Sequence, residues 1–400
     1  MTKQTFGVVG LIMEDALTLE MRDAPKELSF LLSILRNRDQ DQAILPQEAA
    51  DMDWDLFMKL AVHHRVYPLV YLALKGSDTS LIPAYVMQSL QRHYHNNTIK
   101  MLHLSREMSR ICDVFAEAGI RSLWLKGPLL ALHLYGDVAH RTSKDLDILV
   151  DAEDVEKAEQ VLTQLGYEAE EEIVLGNWKK KSHHRSFEHR EHFAQVEIHW
   201  RLNPHYSRSF SFEQLWQRRR EVRLSSQTYF CLGNEDLLCY LTDHGARHGW
   251  FRLRWLADIV RLLPLLDNSR LNQHLERYGG EMYAGQAFIL SSLLLSAKVP
   301  HDLEAATVGA NSYRLAEQAL YYIQRIVQLN PVPEKSVARH YNRYLFSLMS
   351  GKQRIAYVFN KLLPSSRDAL QLPLPKPLYF LYVPLRPFLW FWRRMKQPSV

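Results

Sequence analysis

Asp145 and Asp147 stand one residue apart in the run Asp145-Leu146-Asp147-Ile148-Leu149-Val150. On a β-strand successive side chains alternate, so both aspartates face one side while Leu146 and Ile148 face the other. Two carboxylates fixed side by side repel each other. They are tolerated where something positive sits between them, most often a divalent cation. A third acid, Glu197, alternates with Val196, Ile198 and Trp200. That is the pattern of a half-buried strand, and it puts Glu197 and His199 on the polar side, where Glu197 could join the aspartates. Upstream, Lys126-Gly127-Pro128 closes the apolar run Ser122-Leu123-Trp124-Leu125. Gly127 lets backbone approach a phosphate closely, and the first N–H groups of a following helix favour an anion. Lys126 either contacts a phosphate or pairs with one of the aspartates. Arg141, in the loop before Asp145, either steadies a phosphate or braces that loop by pairing with an acid.

The elements that must position these residues follow from local pattern. Residues 120–125 read as a short strand. Pro128 suits the first turn of a helix, which runs to Tyr135 and is stopped by Gly136-Asp137. After the loop 138–144 comes a strand over 145–150 and a helix over 151–166. The acidic run 168–172 reads as the end of a strand or, in preference, a solvated loop. A hairpin with its turn near Arg190-Glu191-His192 leads into the strand that carries Glu197. Before this unit, amphipathic helices are expected over 25–38, from Asp53-Trp54-Asp55 and from Pro68. A long helix should run from Pro83 to Ala118, capped by Gly119 and packed against the sheet. After Pro204 the pattern turns helical. Residues 222–232 make one or two short strands, Asn234 is the N-cap expected for a helix over 235–247, and further helices are expected over 251–266, 271–295 and 313–327. The expected organisation is a helical region over 1–118, an α/β core over 119–205, a helical region packed on the core over 206–330, and a Pro-rich aromatic arm over 331–400.

A strand, a Gly turn, a helix, a strand with Asp-x-Asp and a later strand with one more acid resemble the DNA polymerase beta-like nucleotidyltransferase superfamily. The longer set is similar to the bacterial uncharacterised nucleotidyltransferases. It comprises Leu125-Lys126-Gly127, Tyr135, Arg141, Asp145-Leu146-Asp147, Glu197-Ile198-His199-Trp200, His244-Gly245-Ala246-Arg247-His248 and Arg254-Trp255-Leu256-Ala257-Asp258. The resemblance covers most of the chain. It implies an α+β fold, a small mixed sheet of the polymerase-beta type flanked by helices. It implies transfer of NMP from an NTP to a hydroxyl acceptor, with Mg²⁺ or Mn²⁺ held by Asp145, Asp147 and Glu197 as the catalytic carboxylates. Lys126, Gly127 and Arg141 are then nucleotide-binding. The turn here is Lys-Gly-Pro where the wider superfamily has Gly-Gly or Gly-Ser. The competing reading is therefore a catalytically inactive nucleotide-binding or scaffold module, for instance in cell-envelope polysaccharide assembly.

Composition bounds the rest. Four hundred residues with 47% hydrophobic and 23% charged side chains are ordinary for a globular protein with a sizeable core. A net charge of +5 permits anionic partners but is weak for a nucleic-acid binder. Cys112, Cys231 and Cys239 lack metal-site spacing and read as core thiols of a cytoplasmic protein. The first residues carry no secretion signal or membrane span. His183, His184, His189 and His192 lack the paired spacing of a structural zinc site and read as hairpin alternation. His244 and His248 lie in HGARH, which has no zinc-protease glutamate; they are expected to face the cleft or pair with acids. Arg254 and Asp258 are spaced as a helix ion pair. The stretch 377–396 is aromatic and ends in basic residues. Its prolines and Arg386 exclude a spanning helix, which leaves an arm on the protein's own surface or a peripheral membrane contact.

Overall fold

The computed structural model describes residue 21 and residues 24–37, 51–75, 81–176, 178–203, 210–329 and 334–396. It is an α+β fold around one mixed seven-stranded sheet. Most of the first 24 residues, Pro204 and Pro331 lie outside the described residues.

The described chain opens with α1 (Lys26–Asn37), α2 (Trp54–His63) and α3 (Tyr67–Lys75). Asp53 caps α2 through its side chain, which accepts from the N–H groups of Asp55 and Leu56. The long helix α4 (Ala84–Glu117) starts after Pro83. Its first half buries Val86 and Leu90 among the other helices. Its second half lays Met101, Leu104, Met108, Ile111 and Phe115 on the sheet.

The sheet follows the order β3 (Glu168–Ala169), β4 (His184–His189), β5 (Ala194–His199), β2 (Leu146–Val150), β1 (Ser122–Trp124), β7 (Gln227–Cys231), β6 (Arg220–Leu224). Strands β1 (Ser122–Trp124) and β2 (Leu146–Val150) are antiparallel at its centre, joined through α5 (Pro128–Tyr135). Helix α6 (Val155–Gln164) crosses over, short α7 (Trp178–Lys181) follows, and β5 (Ala194–His199) pairs with β2 in parallel. The register sets Asp147 directly beside Glu197. On the outer side of β5 lies β4 (His184–His189), with His184 opposite His199. The hairpin turn falls at 190–193, as the pattern requires. The segment 168–172 is not wholly a loop, since Glu168 and Ala169 form β3 against β4.

The hairpin β6 (Arg220–Leu224) and β7 (Gln227–Cys231) closes the other edge, with β7 parallel to β1. Alternation sorts the two faces. Leu146, Ile148, Val150, Val196 and Ile198 pack under α4 and α6. Leu123, Leu125 and Leu149 join the other core, which runs from Leu28 to Leu348.

Helices α9 (Asn234–Arg247), α10 (Leu253–Leu262), α11 (Asn268–Tyr278), α12 (Glu281–Leu295), α14 (Ala310–Ile323) and α15 (Lys335–Leu348) build that second core, with short α8 (Phe212–Gln217) and α13 (His301–Thr307) beside them. Two expectations are corrected. The N-cap of α9 is Gly233, and the Asn234 side chain instead donates to the Leu265 carbonyl. The stretch 271–295 is two helices, because Gly279 adopts a left-handed conformation (φ 69°) and ends α11.

The arm consists of α16 (Gly351–Leu362), α17 (Ser366–Gln371), a 3₁₀ turn and α18 (Tyr382–Lys396). It docks by burying Tyr382, Leu389 and Ala369 with Leu175, and Arg386 pairs with buried Asp368 inside the arm. Much of its apolar surface stays exposed, including Ile355, Val358, Phe359 and Leu362 on one stripe of α16 and Val383, Phe388 and Phe391 on α18. Among the described residues, no helix is long and apolar enough to cross a membrane.

Candidate active site

The three acids meet at one cleft, of about 960 Å³, whose lining includes Asp145, Asp147 and Glu197. The alternation of β2 and β5 does the work, since Leu146 and Ile198 anchor the strands in the core below and turn Asp147 and Glu197 upward.

Asp147 is the centre of this group and is 1% exposed. Its Oδ1 receives Lys126 Nζ at 3.2 Å and His199 Nε2 at 3.2 Å. Its Oδ2 is buried with no partner. Glu197 Oε2 lies 3.2 Å from the same His199 nitrogen. Burial alone would raise the Asp147 pKa, but the positive charge of Lys126 and the hydrogen bond from His199 hold it well below the usual carboxylate range. Glu197 is also lowered: burial opposes, and His199 outweighs it. Asp145 goes the other way. Burial and the neighbouring Asp147 charge push it up to about 6. Burial would lower the His199 pKa, but its bonds to the two carboxylates raise it.

Lys126 takes the second of its two sequence readings and pairs with an aspartate. Its Nζ also lies over the Tyr240 ring, 5.4 Å from the centroid. Gly127 has φ 82° and ψ −149°, a conformation that costs other residues about 1–3 kcal/mol. A Cβ there would sit 3.5 Å from the Leu146 side chain and 3.8 Å from the Asp145 carbonyl. Gly127 thus holds the turn close under the start of β2.

Arg141 does not reach the cleft. It is 2% exposed and gives both arms of its guanidinium to Asp258 on α10, at 2.9 and 2.8 Å. The Tyr135 hydroxyl donates to the same carboxylate at 2.9 Å. Buried Asn97 of α4 donates to the carbonyls of Ala139 and Arg141 at 2.8 and 3.3 Å. These bonds fix the loop that delivers Asp145. The expected Arg254–Asp258 helix pair is not the one formed, because Asp258 is taken by Arg141 and Arg254 donates to the carbonyl and hydroxyl of Thr142.

The cleft lining is also cationic, with Arg65, Arg247, Arg252, Arg254 and Lys144. Arg247 is paired with Asp243 at 2.9 Å. Among the described residues, Arg65, Arg252 and Arg254 make no carboxylate ion pair. Burial lowers all three guanidinium pKa values, that of Arg252 to about 10. Charges held this way favour an anionic ligand that would neutralise them. Arg65 and Arg252 were not singled out in the sequence. They come together because the segment after α2 is tied to the start of α10, where Arg252 donates to the His63 carbonyl at 2.7 Å.

The histidines divide. His183 and His184 line the cleft with His199, as do His244 and His248. His189 and His192 stack on each other at 3.9 Å elsewhere, with His192 2.9 Å from Glu107 of α4. Gly245, in HGARH, makes room for Trp250, whose ring atoms would lie 2.3–2.6 Å from a Cβ.

Asp147 and Glu197 offer carboxylate oxygens of the kind a hard divalent cation takes, and Asp147 Oδ2 has no hydrogen-bond partner among the described residues. Ligand atoms of Asp147, Glu197 and His199 lie within 4.8 Å of one another.

The family profile described as "Uncharacterised nucleotidyltransferase" matches residues 50–296. No curated protein matches the chain. Among solved structures, the lincomycin-bound lincosamide antibiotic adenylyltransferase LnuA is similar at 20% identity, over 33% of this chain and 82% of that one, with a TM-score of 0.26.

Proposed function

The chain belongs to the uncharacterised nucleotidyltransferase family, and on that premise we propose that its cleft transfers NMP from an NTP to a hydroxyl acceptor. The acceptor oxygen bonds to the α-phosphorus, the bond from that phosphorus to the bridging oxygen breaks, and pyrophosphate leaves. Asp145, Asp147 and Glu197 would hold Mg²⁺ or Mn²⁺. Such a cation, when bound, neutralises phosphate charge and helps ionise the acceptor hydroxyl. The chain's own residues do the remainder. Arg65, Arg252 and Arg254 draw the triphosphate into the cleft. Lys126 keeps Asp147 ionised and stands ready to shift toward a phosphate oxygen. Asn97, Arg141 and Asp258 hold the Asp145 loop, so Arg141 is a positioning residue here.

The observation that carries this reading is the buried Asp147 Oδ2, without a hydrogen-bond partner among the described residues, in a cleft lined by acids and by arginines together. The test is transfer of α-labelled NTP, each of the four in turn, with Mg²⁺ or Mn²⁺ and a cell extract as acceptor pool. Label on one acceptor class, lost in Asp147→Asn protein that still folds, is the expected result. Turnover retained in Asp147→Asn would overturn the assignment. Folded protein that binds NTP but releases no pyrophosphate would favour the non-catalytic binding module.

We also infer that the arm places this enzyme, acting in the cytoplasm, against an anionic lipid surface. Exposed Phe359, Phe380 and Phe388 supply apolar contact. Over 351–396 the sequence carries nine Lys and Arg against the single acid Asp368, which suits phospholipid headgroups of negative charge.

A further inference from the structure

We propose a second cation site in the cleft, formed by His183, His184 and His199 and suited to a borderline transition metal such as Zn²⁺ or Co²⁺. One ligand nitrogen from each of the three lies within 4.8 Å of the others. The His183 Nε2 and His184 Nδ1 atoms are 3.2 Å apart. Two imidazole ligands at 2.0–2.1 Å from a tetrahedral zinc are about 3.3 Å apart, so the pair already has ligand spacing.

His199 supplies the independent observation. It is 3% exposed, and its Nδ1 is buried without a partner. Its Nε2 lies between Asp147 and Glu197, 3.2 Å from each. An imidazole that gives one nitrogen to a carboxylate and the other to a metal is the usual arrangement around a bound ion. Three imidazoles with one position open to solvent are the donor set of catalytic rather than structural zinc. His183 and His184 both line the cleft.

Charge is compatible. Arg247 and Arg201 act on His183 against a cation. They are opposed by Glu197, 3.8 Å from His184, and by Asp147. Nitrogen ligands discriminate against Mg²⁺, so the two sites would take different ions.

The proposal stands apart from nucleotidyl transfer and is tested without nucleotide. Chelator-stripped full-length protein is titrated with Co²⁺ and followed by visible d–d absorption, with bound metal counted by elemental analysis. One Co²⁺ per chain is expected, with affinity reduced about tenfold or more in His183→Ala and in His184→Gln, and kept in Asp145→Asn. Thermal melts of the metal-free variants check that they fold, and the rise in melting temperature on adding Co²⁺ should be lost with the histidines. Folded wild-type protein that takes up no Co²⁺ would overturn the site. So would uptake that survives both histidine variants and is lost in Asp145→Asn, because the ion would then sit among the acids alone.

Discussion

Arg141 and Asp258, 117 residues apart, form a two-armed ion pair in which the side chains are 1% and 0% exposed. The pair joins the loop that delivers Asp145 to a helix of the second core, so the acid cluster is registered against the cleft arginines by a bond that no solvent can replace.

Removing one partner of a buried pair leaves an uncompensated charge, which typically costs about 3–5 kcal/mol. Asp258→Ala should lower the urea midpoint accordingly, whereas Arg270→Ala, which breaks an exposed pair with Asp267, should leave it in place. Equal midpoints for Asp258→Ala and the wild type would show that the Arg141 guanidinium finds another partner.

Acid stability should depend on His133. Arg220 donates to its Nδ1 at 3.1 Å, so that nitrogen must accept and the ring is neutral, with Nε2–H donating to Asn234 at 3.0 Å. Burial first, and Arg220 second, lower its pKa to about 4. The folded value lies below the unfolded 6.5. As pH falls through 6.5 the unfolded chain takes a proton that the fold refuses. Stability is therefore complete above 6.5 and is lost progressively down to about 4. Half-buried His63, also lowered to about 4, adds to the same slope. The urea midpoint should fall between pH 7 and 4.5, less steeply in His133→Gln. Parallel profiles for the two proteins would remove His133 as a cause.

The acids were legible before the fold because a strand has a period of two. The alternation in Asp145-Leu146-Asp147 and Val196-Glu197-Ile198 fixes which side chains share a face whatever lies above. Even so, that alternation only placed His199 on the polar side; its position between two carboxylates depends on the β2–β5 register, which no local pattern sets. Arg141 kept two readings because its partner lies 117 residues away. Arg65 and Arg252 had no signal at all, since each is one polar residue in a loop and only tertiary packing brings them together. The helix break at Gly279-Gly280 was written locally and overridden by the apolar run around it. Asn234 is a good cap by type, but Gly233 takes the capping position and frees the amide to tie α9 to the Leu265 carbonyl.

The cationic lining predicts a separation of kinetic effects. Arg65 and Arg252 face the cleft from outside the acid cluster, so they should contribute binding more than chemistry. Loss of one charge-assisted bond costs about 1.5–3 kcal/mol, or roughly ten- to a hundredfold in affinity. Arg252→Ala and Arg65→Ala should raise KM for the NTP by that factor with a smaller change in kcat. A fall in kcat at unchanged KM would instead put these arginines on the transition state alone.

The arm predicts a lipid dependence that the cleft does not share. Phe388 is 72% exposed and Phe359 64%, while Tyr382 and Leu389 are buried against the Leu175 segment. The inner face therefore holds the arm in place and the outer face is left for another surface. Flotation with vesicles of phosphatidylglycerol and phosphatidylethanolamine should carry the full-length protein upward, and vesicles of phosphatidylcholine alone should not. The double variant Phe359→Asp, Phe388→Asp should stay at the bottom while keeping the wild-type melting temperature, because neither side chain belongs to a core. Raised salt should weaken flotation, since the headgroup attraction is screened within about 10 Å at 0.1 M. Protein that ignores both vesicle types, or that self-associates through these side chains on gel filtration, would show that the exposed face meets a protein instead.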